Sequence, residues 1–352
     1  MKRYQLAKKE GLNWQSVIVQ DLETDLKIYV LNAVRQGVGY SKINETVSKM
    51  INNALEDVES EQVKSMARSS LYLYASRVYV QAFAIYGNRE DGAEVLLLLR
   101  NAGVKPTESF ISVISSLPTK SALKGQFQSF EKAYNRAVPN NVYNAEYEKE
   151  VIRRTNKLLD STAKVDYSEY SSLRASVERQ IRWEYHEKNL QDLKEKGTKF
   201  VWIDSHANCS ERCREWQGRL YSLNKTIGEV DGINYIPLEN ATDIYTTTKA
   251  GKTYKNGCIS GFGCRHKLVA YRQGFKPQTI PASVTKKQYA IDRKMRELER
   301  KVRLYESRAL GYKGFAPKLY HISKMERNKA MQEYIDFAEK NNVPYYPSRV
   351  DI

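Results

Sequence analysis

All four cysteines of the chain, Cys209, Cys213, Cys258 and Cys264, and two of its four histidines, His206 and His266, fall between Asp204 and Tyr271. The spacing reads His-x2-Cys-x3-Cys, then a 44-residue insertion, then Cys-x5-Cys-x-His. Each half places soft ligands on a short loop, which suits a tetrahedral Zn²⁺ held by thiolate sulfur and imidazole nitrogen. The set this predicts is Cys209, Cys213, Cys264 and His266, with Cys258 and His206 as alternates. Neither half has a Cys-x2-Cys knuckle, so buried thiols or disulfides stay open as other readings. The segment is also short of apolar residues, and metal binding can supply folding free energy that a small core lacks.

The same residues raise two catalytic readings. Cys209 or Cys264 with His266 imitates a Cys–His nucleophile pair oriented by Asp204 or Glu215. His206, His266 and Asp204 imitate a metal-dependent nuclease. Proximity in sequence establishes neither geometry. The chain has no P-loop, no His-Glu-x-x-His and no dinucleotide fingerprint. It is therefore expected not to be an enzyme, with a nuclease or toxin-like activity centred on His206 and His266 as the alternative.

These residues need elements to hold them. Residues 12–197 read as successive helices, among them a nearly all-round apolar stretch at 71–86 and a long charged helix marked by Leu173, Val177, Ile181, Leu190 and Leu193. The texture changes at Lys199. Phe200–Ile203, Arg219–Tyr221 and Lys267–Tyr271 look like short strands among Gly, Thr, Asn and Tyr. After Pro281 helix returns, with Ile291, Met295, Leu298, Val302, Tyr305 and Ala309 at heptad spacing and a second helix over about 324–339. The fold class is α+β: a mainly helical region over 1–197, a small α+β Cys/His domain over 198–280, and a helical hairpin over 281–352. The hairpin is expected to pack within the chain rather than as a coiled coil between chains, although a homo-oligomer stays open.

The net charge is +16 and uneven: 28 Lys and Arg face 16 Asp and Glu over 198–352, against 29 and 25 in the rest. Such an excess attracts polyanions. Arg293, Lys294, Arg296, Arg300, Lys301 and Arg303 are the candidate nucleic-acid contacts, and the competing reading is a solvated helix face with Glu297 and Glu299 as partners. No recognition-helix motif is present, so contact is expected with phosphates and independent of sequence. No apolar run reaches the length of a membrane helix, and Met1–Lys9 lacks the apolar core of a secretory signal.

Ser205–Ser222, with His206 and Trp216-Gln217-Gly218-Arg219-Leu220-Tyr221-Ser222, resembles the His…Trp-Gln-Gly-Lys-x-Tyr-Ser motif of the phage minor capsid protein 2 family. Gly261–Gly274, with Cys264-Arg265-His266, resembles that family's Gly-x-Asn-Cys-Arg-His-x-x-x-Pro-Tyr-x-x-Gly segment, with Gly263 and Ala270 at the usual Asn and Pro. The resemblance implies a minor structural protein of a tailed-phage head, similar in role to the Mu F-like head morphogenesis proteins. It would associate with the portal and major capsid proteins and lie near packaged double-stranded DNA inside the virion, after assembly in the host cytoplasm. It does not imply zinc, which rests on the extra cysteines of this sequence. The motif residues can also serve folding alone, with Trp216 filling the small core and Arg265 anchoring a carboxylate such as Asp204.

Overall fold

A computed structural model describes residues 3–87, 92, 96, 111, 117, 145–165, 168–241, 245–248, 251–254, 259, 264–275 and 279–350. The chain divides into two compact units, Met1–Arg174 with Leu298–Ile352, and Ala175–Glu297. Both cuts fall inside helices, whereas the changes in composition fall at 197/198 and 280/281.

The first unit is helical. Helix α1 (Arg3–Lys9) leads into α2 (Trp14–Arg35), α3 (Tyr40–Glu56) and α4 (Glu61–Tyr86). Asn13 starts α2, its Oδ1 accepting from Ser16 N at 3.1 Å, and Ser60 starts α4 by accepting from Val63 N at 3.1 Å. These side chains occupy amide donors that a helix start leaves unpaired. Each helix then buries a stripe at helical spacing: Leu22, Leu26 and Val30 on α2, Ile43, Val47, Ile51 and Leu55 on α3, and Val63, Ala67, Leu71, Tyr74 and Val78 on α4. Helix α2 packs against α1, α3 and α4, and α4 packs against α5 (Ala145–Leu159).

Residues 12–197 are not helical throughout. Strands β1 (Lys164–Val165) and β2 (Ser168–Ser172) form an antiparallel pair between α5 and α6 (Leu173–Glu195). Five strand residues are too few to show a period of two in sequence, so the pair is hidden among helical signals.

Helices α7 (Ala282–Tyr312) and α8 (Pro317–Lys340) are the expected hairpin. Within the first unit, Glu299 meets Tyr334, Lys301 meets Glu333 at 2.6 Å, and Glu306 meets Arg327 at 2.9 Å, an antiparallel register. Of the heptad positions, Met295, Leu298, Val302 and Ala309 are buried and Ile291 and Tyr305 half-buried. The seam is thus used inside the chain.

The second unit holds a five-stranded mixed sheet in the order β5 (Gly228–Val230), β6 (Ile233–Pro237), β4 (Leu220–Ser222), β3 (Phe200–Ile203), β9 (Leu268–Ala270). Only β4 and β6 run parallel. The three strands expected from sequence are its β3, β4 and β9. A separate hairpin, β7 (Tyr245–Thr248) with β8 (Gly251–Tyr254), completes the described strands.

Glu23 on α2 is enclosed by the first unit. Burial raises its carboxyl from 4.5 to about 7, opposed chiefly by the nearby Lys27 ammonium. A group whose folded value lies above its unfolded one stabilises the fold below the unfolded value, and that contribution is lost as pH rises through the folded value. The Glu23→Gln variant should therefore gain stability relative to wild type as pH rises from about 4.5 to about 7. Urea unfolding at several pH values measures the gap, and a gap independent of pH would contradict this account.

Candidate metal centre

Strand β3 pairs with β4 on one side and β9 on the other, with Trp202 opposite both Leu220 and Val269. This pairing brings the two halves of the Cys/His motif together across the long insertion. Past the end of β3 the clasp continues: Asp204 N donates to Lys267 O at 3.1 Å, and Lys267 N donates to Asp204 Oδ1 at 2.7 Å. Helix α6 supports the second half, with His186 Nε2 2.9 Å from Cys264 O and Asn189 Nδ2 donating to Leu268 O at 3.1 Å.

The first half folds as a tight turn. A 3₁₀ turn spans Glu211–Cys213, and Trp216 N and Gln217 N both donate to Cys213 O, at 3.1 and 3.2 Å. Gly218 closes it with φ +68°, its N donating to Ile203 O at 2.9 Å. A Cβ here would stand 2.8 Å from Ser205 Oγ and 2.9 Å from Thr279 Cγ2, so the Gly of Trp-Gln-Gly is required twice over.

Cys213, Cys264 and His266 converge, one ligand atom from each lying within 4.8 Å of the others, all three residues buried. Cys264 Sγ is 3.3 Å from His266 Nδ1. Cys209, the fourth residue of the expected set, is not among the three converging ligands; its Sγ donates to Ser210 O at 3.2 Å, and it hydrogen-bonds to Cys213. That bond, and then one from Cys264, hold the Cys213 thiol far below its ordinary range, while the bond to Cys213 and burial push Cys209 far above it. Cys209, Cys213 and Cys264 form no disulfide.

His266 Nε2 lies 3.0 Å from Gln217 Oε1, which also accepts from His206 N at 3.2 Å. The His206 ring stacks on that of His266 at 4.1 Å and 28°, with its Nδ1 2.9 Å from Asn208 Oδ1. Burial, and then the neighbouring His266, lower the His206 imidazole. His206 is thus a cover over the site rather than one of the converging ligands. Cys258 and 261–263 lie outside the described residues.

The family profile for phage minor capsid protein 2 matches residues 125–334, more than half of the chain. The chain belongs to the phage minor capsid protein 2 family. As a minor capsid protein it is a structural component of the phage head. No curated protein and no solved structure matches it.

The motif residues of this minor capsid protein serve the geometry above, with two departures from expectation. Arg265 does not anchor Asp204, whose carboxylate oxygen is engaged by Lys267 N; its guanidinium faces Asp292 at 3.9 Å. Trp216 is only partly buried against the core cluster, and the fully buried indole is that of Trp202. His186, which supports Cys264 from α6, carries no spacing signal that would mark it in the sequence.

The basic candidates on α7 have diverse surroundings. In the second unit Arg293 is exposed, Lys294 pairs with Glu297 at 2.8 Å and Arg296 with Asp292 at 2.8 Å. In the first unit Arg300 is exposed and Lys301 pairs with Glu333. Arg303 donates to Arg349 O at 2.6 Å, and burial lowers its guanidinium to about 9. Glu299, the expected surface partner, is itself buried and accepts from Tyr334 and Arg349.

Replacing Gly218 by Ala should destabilise the chain by at least about 1 kcal/mol, from the left-handed backbone alone, with the Ser205 and Thr279 clashes added. Denaturant unfolding measures the loss, and wild-type stability in the variant would show that the turn relaxes freely.

Proposed function

We propose that this minor capsid protein sits with the portal inside the phage head, contacts packaged double-stranded DNA through phosphates, and has its Cys/His unit reinforced by a structural Zn²⁺. Membership of the minor capsid family is the observation that carries the reading. The +16 net charge supports proximity to DNA. So do the exposed Arg293 and Arg300, and an open groove in the first unit lined by Lys157, Lys164, Arg153 and Arg308, of which Arg153 is paired with Glu150 and Arg308 with Asp160, the groove's one acid. Among the described residues no helix is long and apolar enough to cross a membrane.

For zinc, the fit lies in the donor set. Three buried ligand atoms within 4.8 Å of one another, two sulfurs and an imidazole nitrogen, are the soft donors Zn²⁺ takes. Cys213, Cys264 and His266 would hold the ion, with Cys209 completing four. The metal would cross-link the Cys213 turn to the segment leading into β9. A nuclease at His206 and His266 is the weaker reading. The His266 ring is 1% exposed, and its two nitrogens face Cys264 and Gln217 rather than solvent.

Mass spectrometry of purified particles should find this chain in few copies, cross-linkable to the portal protein, and its absence from particles would sink the assignment. Purified protein should bind duplexes of unrelated sequence with an affinity that falls steeply with salt. Lys157→Glu with Lys164→Glu should lower the slope of log K against log salt by about 2, close to one for each phosphate no longer neutralised. An unchanged slope would remove this groove from the DNA-binding surface.

A further inference from the structure

We propose that Gln217 is the positioning residue of the metal centre: it holds His266 as the Nε2–H tautomer and so turns the Nδ1 lone pair toward the cysteine sulfurs. The inference rests on the metal reading above and gives the Gln of the Trp-Gln-Gly motif a chemical role.

One oxygen decides the tautomer. A backbone N–H can only donate, and that of His206 lies 3.2 Å from Gln217 Oε1. The atom at this position must therefore be the amide oxygen and not its NH₂. The same oxygen is 3.0 Å from His266 Nε2, so Nε2 must carry the proton. A neutral imidazole has one ring proton. Nδ1 then bears a lone pair, and it is this nitrogen that lies 3.3 Å from Cys264 Sγ.

Nothing nearby loosens this arrangement. Gln217 is 8% exposed and His266 1%, which leaves little room for water to take the place of the amide oxygen. The stacked His206 ring covers one face of His266. Gln217 is fixed in turn by its own N–H, which donates to Cys213 O at 3.2 Å. One turn thus supplies a metal ligand, Cys213, and the group that aims a second ligand from the far half of the motif. Outer partners of this kind set ring orientation and ligand basicity at metal-binding histidines, and losing one typically costs 10–100-fold in affinity.

The test uses the full-length chain, stripped with a chelator and titrated with Zn²⁺ against a chromophoric competitor, and with Co²⁺ read by its thiolate absorption. Wild type should take up one ion. Gln217→Leu, which removes the acceptor, should bind about 10–100-fold more weakly. Gln217→Glu keeps an acceptor for both N–H groups and should bind like wild type. Nitrogen NMR of the metal-loaded wild type should show His266 ligated through Nδ1 with the proton on Nε2. If wild type binds no metal, the metal reading itself fails. If wild type binds and Gln217→Leu binds equally well, or if His266 ligates through Nε2, the metal reading stands and the role of Gln217 is overturned. Should Gln217→Leu not fold, weak binding by a folded Gln217→Glu, or Nε2 ligation in wild type, would still overturn it.

Discussion

The second unit depends on β3 being paired on both edges. Its four residues hydrogen-bond to β4 and to β9, and so draw a turn at 209–218 and a segment at 264–267 to the same end of the sheet. Without that pairing the two halves of the Cys/His motif are separated by a long insertion and have no reason to meet. With it, the Asp204–Lys267 clasp, the Gln217–His266 bond and the convergence of sulfurs follow within a few residues of the strand ends. Closing a long loop costs entropy, and this loop is closed by only a few ladder bonds plus the contacts at the site. The family motif residues sit at this closure point, which explains why His206, Gln217, Gly218, Cys264 and His266 are all within reach of one another.

Much of this was legible in the sequence because the signals are local. The short β-type runs located β3, β4 and β9, and the heptad spacing located the seam of α7. Cysteine and histidine spacing named Cys213, Cys264 and His266, which converge, but also Cys209, which is not one of the three. What sequence could not supply was geometry at the level of a single atom. Spacing ranks His206 only as an alternate ligand to His266 and gives it no other place; in the fold His266 converges with the sulfurs and His206 stacks over it. Gln217 stands in the sequence only as part of the family motif, and only the fold gives its oxygen two donors. The β1–β2 pair stayed hidden because it is too short to carry a period.

Charge shows the same limit in a different form. A count of Lys and Arg cannot distinguish a cation facing water from one consumed by folding. Arg303 and Arg300 are three residues apart on one helix, nearly a full turn, and still differ: Arg300 is exposed, while Arg303 reaches a backbone carbonyl and lies among Arg174, Glu299 and Arg3. Glu23 and Lys27 on α2 are likewise interior, the ammonium donating to Leu159 O at 2.6 Å and Ser161 O at 3.1 Å. Part of the formal charge is thus internal wiring of the helical unit. Ion pairs already cancel in the net +16, so pairing decides where the surplus faces water rather than its size: Arg293 and Arg300 lie in the basic run of α7, whereas the groove lysines Lys157 and Lys164 lie outside it.

The three thiols also bear on why the second unit folds at all. Cys209, Cys213 and Cys264 belong to its core cluster, beside Val201, Ile203, Tyr221 and Leu268. As neutral side chains they are small hydrophobes that fill space and contribute like any other apolar group. A thiolate among them would be an anion in an apolar cluster, costly unless something neutralises it. His266 at Nδ1 is not that something, because its proton is held on the other nitrogen by Gln217. A cation held by Cys213, Cys264 and His266, as proposed, would pair such a thiolate and would tie the turn to the segment leading into β9.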